Sequence, residues 1–411
     1  MTDPAPAAPR AQPRSWRFAA LMASLAMLGP FAVDMYLPAF PAIGAEFDAA
    51  PIALQQTLSA YMFAYAFMML WHGALSDALG RRPVILAGLT VFALGTLGCA
   101  IAGNIESLWL FRLLQGLSAG AGLVVGRAIV RDRFSGPEAQ RMMSQITLVF
   151  GIGPALAPIV GGALLNLVGW RSIFWAMLAW TVVMLALSLR LLPETLPAAH
   201  RHPLHPRALW RNYRAVIARR EFLLLALVPA LNFCAFFLYI AAAPTFLVGL
   251  LGVSTMGFAW LFVPMIGGIM TGALVSGRLA GRLSPQRTVR LGYQVLAVGV
   301  AANLAISALL PPLVAWNVLP IFVYTIGSAI VMPSATLLLL DLFPTMRGMA
   351  SSLQGFVQFA LGGAVAGTIA PLLATSLPVL ALGMAAFTAA SFAVWSLYGH
   401  RTRSLPKESP P

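Results

Sequence analysis

The 411-residue chain is 60% hydrophobic and only 9% charged, and it carries a net charge of +14. Soluble domains average about 25% charged residues, so this composition excludes an ordinary soluble enzyme and points into a bilayer. Excess arginine would suit nucleic acid, but here it sits beside the ends of apolar runs, where anionic lipid headgroups are the better partner.

In chain order, a Pro/Ala/Arg-rich tail over residues 1–16 reads as disordered. Twelve apolar stretches follow, near 17–39, 53–75, 83–102, 107–129, 142–166, 171–189, 222–244, 256–277, 289–310, 315–340, 348–374 and 378–399. About 20 helical residues cross the roughly 30 Å hydrocarbon core, so each stretch predicts a spanning helix. The first is too long for a signal-peptide core, and no cleavage is expected. With the N-terminus inside, every Lys and Arg except Arg112 and Arg171 falls on the cytoplasmic side, the asymmetry that orients multi-span proteins.

The fold class expected is therefore an all-α integral membrane protein with twelve transmembrane helices and both termini cytoplasmic. Residues 190–221, rich in Pro, His and Arg, form a cytoplasmic linker with a short surface helix at its end. They separate a six-helix bundle at 17–189 from a second at 222–399, ahead of a cytoplasmic tail at 400–411. Gly73-Ala-Leu75-Ser-Asp77 is echoed by Gly277-Arg-Leu279-Ala-Gly281, and Asp132-Arg-Phe134 by Asp341-Leu-Phe343. These traces of a repeat make the bundles pseudo-symmetric and suit alternating access around a site at the membrane midplane.

Ionisable residues inside spans are costly, at roughly 2.5–3.5 kcal/mol for an arginine near the centre, and they persist where they act. Asp34 is the only acid well inside a predicted span, and Arg112 is the only base. At 1.5 Å per residue both lie roughly 6–8 Å below the outer boundary, which predicts an intramembrane pair. Helical spacing puts Tyr61 with Tyr65, Asn232 with Phe236 and Tyr239, and Gln354 with Gln358 on shared faces. With Gln115 these residues predict a cavity for flat, partly apolar molecules. Asp77 stands at a helix C-terminus, unfavourable for an anion, and needs a basic partner such as Arg131 or Arg133 or the start of the eleventh helix. Cys99 and Cys234 lack metal-ligand spacing. The histidines, at 72, 200, 202, 205 and 400, lie at or beyond span ends. No Walker A sequence occurs, so neither ATP hydrolysis nor a membrane enzyme is supported.

Gly73-Ala-Leu75-Ser-Asp77-Ala-Leu-Gly80-Arg81-Arg82 resembles the loop signature of the major facilitator superfamily, and Leu110-Phe-Arg112-Leu-Leu-Gln115-Gly116 resembles its second signature. Leu28-Gly-Pro30-Phe-Ala-Val-Asp34-Met-Tyr36-Leu-Pro38-Ala-Phe-Pro41 is similar to the opening of the Bcr/CflA drug:proton antiporters. Gly151, Gly153, Pro154, Pro158, Gly161 and Gly162 are close to the helix-5 motif of the family's antiporters. The resemblance implies proton-coupled efflux of small amphipathic compounds from a monomer in the inner membrane, with no cofactor beyond the proton gradient. It implies Asp34 and Arg112 as the coupling pair, and Gly73, Asp77, Gly80, Arg81, Arg82 and Arg131 as a cytoplasmic gate. Some relatives carry a second acid where this chain has Ala26, which leaves Asp34 to carry the proton alone. An uptake symporter for a small nutrient or organic anion is the competing expectation.

Overall fold

A computed structural model describes residues 15–201, 204–344 and 346–404; the expectations for the tails at residues 1–14 and 405–411, and for His202, lie outside them. α1 (Ser15–Asp34) runs through a short 3-10 turn, Leu37–Ala39, into α2 (Phe40–Phe47). Then come α3 (Pro51–Leu79), α4 (Arg81–Ala100), α5 (Ile105–Ala119), α6 (Ala121–Arg133), α7 (Gly136–Val168) and α8 (Arg171–Leu191). α9 (Pro206–Ile217) is the short linker helix, with Trp210 exposed and Tyr213 buried. The rest is α10 (Arg220–Ala241), α11 (Ala259–Leu279), α12 (Pro285–Leu309), α13 (Val314–Asp341), α14 (Arg347–Ala364), α15 (Ala370–Leu373) and α16 (Leu377–Ser404).

Among the described residues, 11 helices are long and apolar enough to cross a membrane. The stretch expected at 142–166 falls in the 33-residue α7, whose described apolar run is Gly153–Val168. Large apolar side chains such as Leu167, Leu274, Leu372 and Leu382 stay exposed, as lipid-facing residues do.

Two sets of helices pack internally: α1 on α7, α3 and α4 on α5, and α4 on α8; then α11 and α12 on α13, and α10 on α16. The sets meet through α3 against α14 and α7 against α11. The second set contains two π-helical segments, Pro244–Leu250 after α10 and Val365–Ile369 after α14. The stretch expected as one helix at 107–129 is interrupted at Gly120, and the one expected at 17–39 stops being α-helical at Asp34. The first break lies eight residues past Arg112, and the second falls at Asp34, two ionisable residues described next.

Candidate substrate and proton site

Asn104 caps α5, accepting from the Ser107 amide at 2.8 Å, and this fixes the helix that carries Arg112. Arg112 is fully buried. Its Nη1 donates to the Ala32 carbonyl at 2.9 Å and to Gln115 Oε1 at 2.5 Å. The guanidinium carbon lies 4.6 Å from the ring centre of Tyr36 and 4.3 Å from that of Tyr61, so an aromatic ring covers the cation on two sides. Among the described residues Nη2 and Nε have no hydrogen-bond partner. Gln115 in turn donates to Thr96 at 2.8 Å, and Tyr61 donates to the Gly29 carbonyl at 2.9 Å.

Asp34 is the last residue of α1 and 6% exposed. Among the described residues it forms no ion pair with Arg112. The expected direct pair is thus replaced by a shared neighbourhood, with both charges in electrostatic reach of Tyr61. The cause is local. Where α1 ends, the Tyr36 amide turns to Val33 O at 3.2 Å, which leaves the Ala32 carbonyl without its usual donor. A planar guanidinium satisfies that carbonyl and stacks on aromatic faces at the same time.

The helix-5 motif builds the floor beside this group. A Cβ on Gly161 would collide with the Met35 carbonyl, next to Asp34, and one on Gly153 would lie 2.9 Å from Met27 Cε. Pro154 and Pro158 lie inside α7, and the Gly162 carbonyl accepts from Asn166 at 2.7 Å. The packing around Gly151 lies outside the described residues.

The polar face expected on α10 turns elsewhere. Tyr239 accepts from Asn303 of α12 at 2.7 Å, and Asn232 is fully buried with its carbonyl 3.4 Å from Tyr324 of α13. These contacts stay within the second set of helices, and among the described residues the buried Asn232 side-chain amide has no hydrogen-bond partner. The face meeting the first set is aromatic instead: Tyr65 packs on Phe359 at 4.7 Å, Phe359 on Phe233 at 5.9 Å, and Phe233 on Phe236 and Phe237 at 5.3 and 4.9 Å. Phe236 alone of the expected trio joins this wall. Phe233 and Phe359 were missed because apolar spacing by itself does not tell an interface from a core. Gln354 donates to Thr336 at 2.8 Å, and Gln358 is half-buried.

At the loop after α3, Gly80 has φ 103°, a conformation that strains any other residue. Arg81 pairs with Asp77 and, through Nε at 3.0 Å, with Asp132 at the end of α6. Its Nη1 also donates to Ser76 at 2.7 Å. Glu194 accepts from the Arg81 amide at 3.0 Å, and Arg82 donates to the Leu189 carbonyl at 2.7 Å. The partner of Asp77 is therefore Arg81, not Arg131 or Arg133. Arg131 is exposed, and Arg133 covers the Phe18 ring at 5.0 Å. Glu194 was not anticipated, since a lone acid in a linker carries no signal. His72, expected at a span end, is buried in α3 with Nδ1 unpartnered. No group of three or more His, Cys, Asp or Glu among the described residues is arranged to hold a metal.

At the opposite end of α3, three side chains donate to backbone carbonyls of the second set. Gln55 reaches Ala241 O at 3.3 Å, Gln56 reaches Gly367 O at 2.9 Å, and Ser59 reaches Gly363 O at 2.8 Å. Nearby, Glu46 of α2 accepts from Trp170 and Arg171, each at 2.6 Å.

The family model described as the Major Facilitator Superfamily matches residues 22–367. The chain belongs to this superfamily. It is 32% identical over 384 residues to the uncharacterized MFS-type transporter YdgK of Bacillus subtilis, covering 93% of this chain and 95% of that one. It is 29% identical to a bicyclomycin resistance protein homolog of Haemophilus influenzae, with 90% and 93% covered. With the multidrug resistance protein MdtL of Escherichia coli it shares 30% identity over 83% of this chain and 85% of that one. A bacterial homolog of the human lysosomal transporter Spinster, solved inward-facing and unoccupied, shares the fold with a TM-score of 0.72 at 17% identity, over 96% and 98% of the two chains. The superfamily membership makes this chain a multi-pass membrane transporter of small molecules, not an enzyme, and relatives named for bicyclomycin and multidrug resistance are consistent with the Bcr/CflA type that its sequence resembles.

Proposed function

We propose that this transporter exports small amphipathic compounds, antibiotics among them, in exchange for protons by alternating access. Twelve helices cross the inner membrane of the cell as two six-helix bundles, residues 17–189 and 222–399, around the linker at 190–221. Both termini lie in the cytoplasm, and the monomer is the working unit. Relatives named for bicyclomycin and multidrug resistance support drugs as the cargo. The observation that carries the reading is Asp34: a nearly enclosed acid at a helix end, beside Tyr61 and a guanidinium committed to other groups.

With no acid–base pair to break first, Asp34 takes a proton from the outer side once the protein opens that way. Arg112 stays anchored by Ala32 and Gln115 and lends its field to the carboxylate when the proton leaves. Substrate arriving from the cytoplasm or inner leaflet then favours proton release inward. One proton moving down a membrane potential supplies about 2.3 kcal/mol per 100 mV. That concentrates a neutral substrate about forty-fold per 100 mV, since about 1.4 kcal/mol is a factor of ten. No cofactor takes part.

The experiment is dye and antibiotic transport in everted vesicles with an imposed proton gradient, with and without a protonophore. Asp34→Asn is expected to abolish gradient-driven transport while leaving substrate binding measurable. Intact gradient-driven transport by that variant removes Asp34 from the scheme.

A further inference from the structure

Arg127 is not used by the coupling group. It lies on α6, six residues before the helix ends at Arg133, inside a stretch apolar enough to span. Its side chain is solvent-exposed, and among the described residues no acid stands within ion-pair distance of it. Arg112 has no such freedom, being fully enclosed and held by Ala32, Gln115 and two rings. Six residues, about 9 Å, from the end of a spanning helix, an unpaired arginine reaches water, a lipid headgroup or a ligand and not the lipid tails.

The direction of its reach is set by the helix. Gly120 lies seven residues earlier, two turns back on the same stripe. A Cβ on Gly120 would lie 3.7 Å from the Tyr65 ring and 3.3 Å from His72 Nδ1, so that stripe faces α3. Helical side chains tilt toward the N-terminus, so the long arginine leans back toward Tyr65. The two are in electrostatic reach of each other. Tyr65 is also the first ring of the aromatic wall that continues through Phe359 and Phe233 into the second set of helices. A free cation thus stands beside a bank of rings contributed by both sets.

We propose that Arg127 and the Tyr65–Phe359–Phe233 wall form a subsite for an aromatic compound bearing a carboxylate, sulfonate or other anionic group. The guanidinium supplies a two-pronged contact to the anion, and the rings take the flat apolar part. The inference rests on the export reading and narrows its substrate class. At this place the exposed charge is positive, so aromatic anions are preferred over aromatic cations of the same shape.

The test compares two xanthene dyes, anionic fluorescein and cationic rhodamine 6G, binding to the full chain in nanodiscs by fluorescence anisotropy. The wild type is expected to bind fluorescein more tightly. Arg127→Gln should weaken fluorescein about tenfold or more, the usual size of a lost charge-assisted contact, and leave rhodamine 6G unchanged or tighter. Arg127→Lys should recover part of the loss, and Phe359→Ala should weaken both dyes. Tighter rhodamine 6G binding by the wild type, or an Arg127→Gln variant that holds fluorescein as before, overturns the proposal. No gradient is present in this assay, so its outcome is independent of whether Asp34 couples transport to protons. Retained rhodamine 6G binding by the variant also shows that it is folded.

Discussion

Gly161 shows how little room the coupling group has. Its α-carbon lies against the Met35 carbonyl, one residue past Asp34, where a methyl group has no space because the obstacle is backbone. Gly161→Ala should therefore lower stability by about 1–3 kcal/mol, the usual cost of overpacking, and shift Asp34 enough to impair proton-driven transport. Gly277→Ala, in α11 with no atom within 4 Å, is the control and should be neutral or slightly stabilising, because alanine favours helix by up to about 1 kcal/mol. Thermal unfolding followed by tryptophan fluorescence separates the two; equal melting temperatures would refute the packing argument. At this scale the sequence was informative about which residues matter and less so about their partners. Asp34 and Arg112 stand out by charge alone, since the sequence places no other acid or base well inside a predicted span. That Arg112 binds a carbonyl instead of the acid depends on one amide, that of Tyr36, bonding three residues back instead of four. Composition carries no trace of that choice.

At the scale of elements, the linker helix α9 is docked and not loose. Tyr213 is buried and its hydroxyl donates to the Leu70 carbonyl of α3 at 2.8 Å. Burial pushes the Tyr213 phenol up from 10.0 to about 12. A group whose folded pKa is raised contributes stability that is complete below its unfolded pKa and lost as pH climbs through the folded one. Docking of α9 should thus hold up to about pH 10 and fail between 10 and about 12. Hydrogen exchange across 206–217 at rising pH measures it, and Tyr213→Phe should loosen the helix at neutral pH and remove this alkaline step. An unchanged step in that variant would assign it to another group. Helix placement was legible from apolar length and arginine position, and α9 from its place at the end of the Pro-, His- and Arg-rich linker. The interruption at Gly120 was not, because a helix break inside an apolar run leaves the run intact. The face of α10 was misread for a related reason. The Asn232 and Tyr239 groups point into one set of helices, toward Tyr324 and Asn303, so polarity marked the wrong side and phenylalanines line the interface.

At the scale of the whole molecule, the two sets of helices are tied at the α3 end that carries Gln55, Gln56 and Ser59, the end proposed as periplasmic. The loop at Gly80, Arg81 and Glu194 is held together within the first set and its linker, and among the described residues it makes no comparable tie across. A Cβ on Gly367 would sit 2.8 Å from that of Ser59, close to disulfide reach after a small adjustment. The double variant Ser59→Cys with Gly367→Cys should cross-link under mild oxidant, stop transport, and recover when reduced. Transport that continues through a quantitative cross-link would mean that this seam never has to open. The native thiols, Cys99 and Cys234, are both buried and should not interfere.

That seam is one-sided in its chemistry. All three donors are side chains of α3, and all three acceptors are main-chain oxygens. Most substitutions in α10, α14 or the π-helical segment after it leave a carbonyl where it was, so genetic drift there cannot readily unfasten the closure, whereas single changes at three neighbouring codons can. Variation that retunes drug range is free to accumulate in the second half, while the first bears the burden of keeping the membrane sealed.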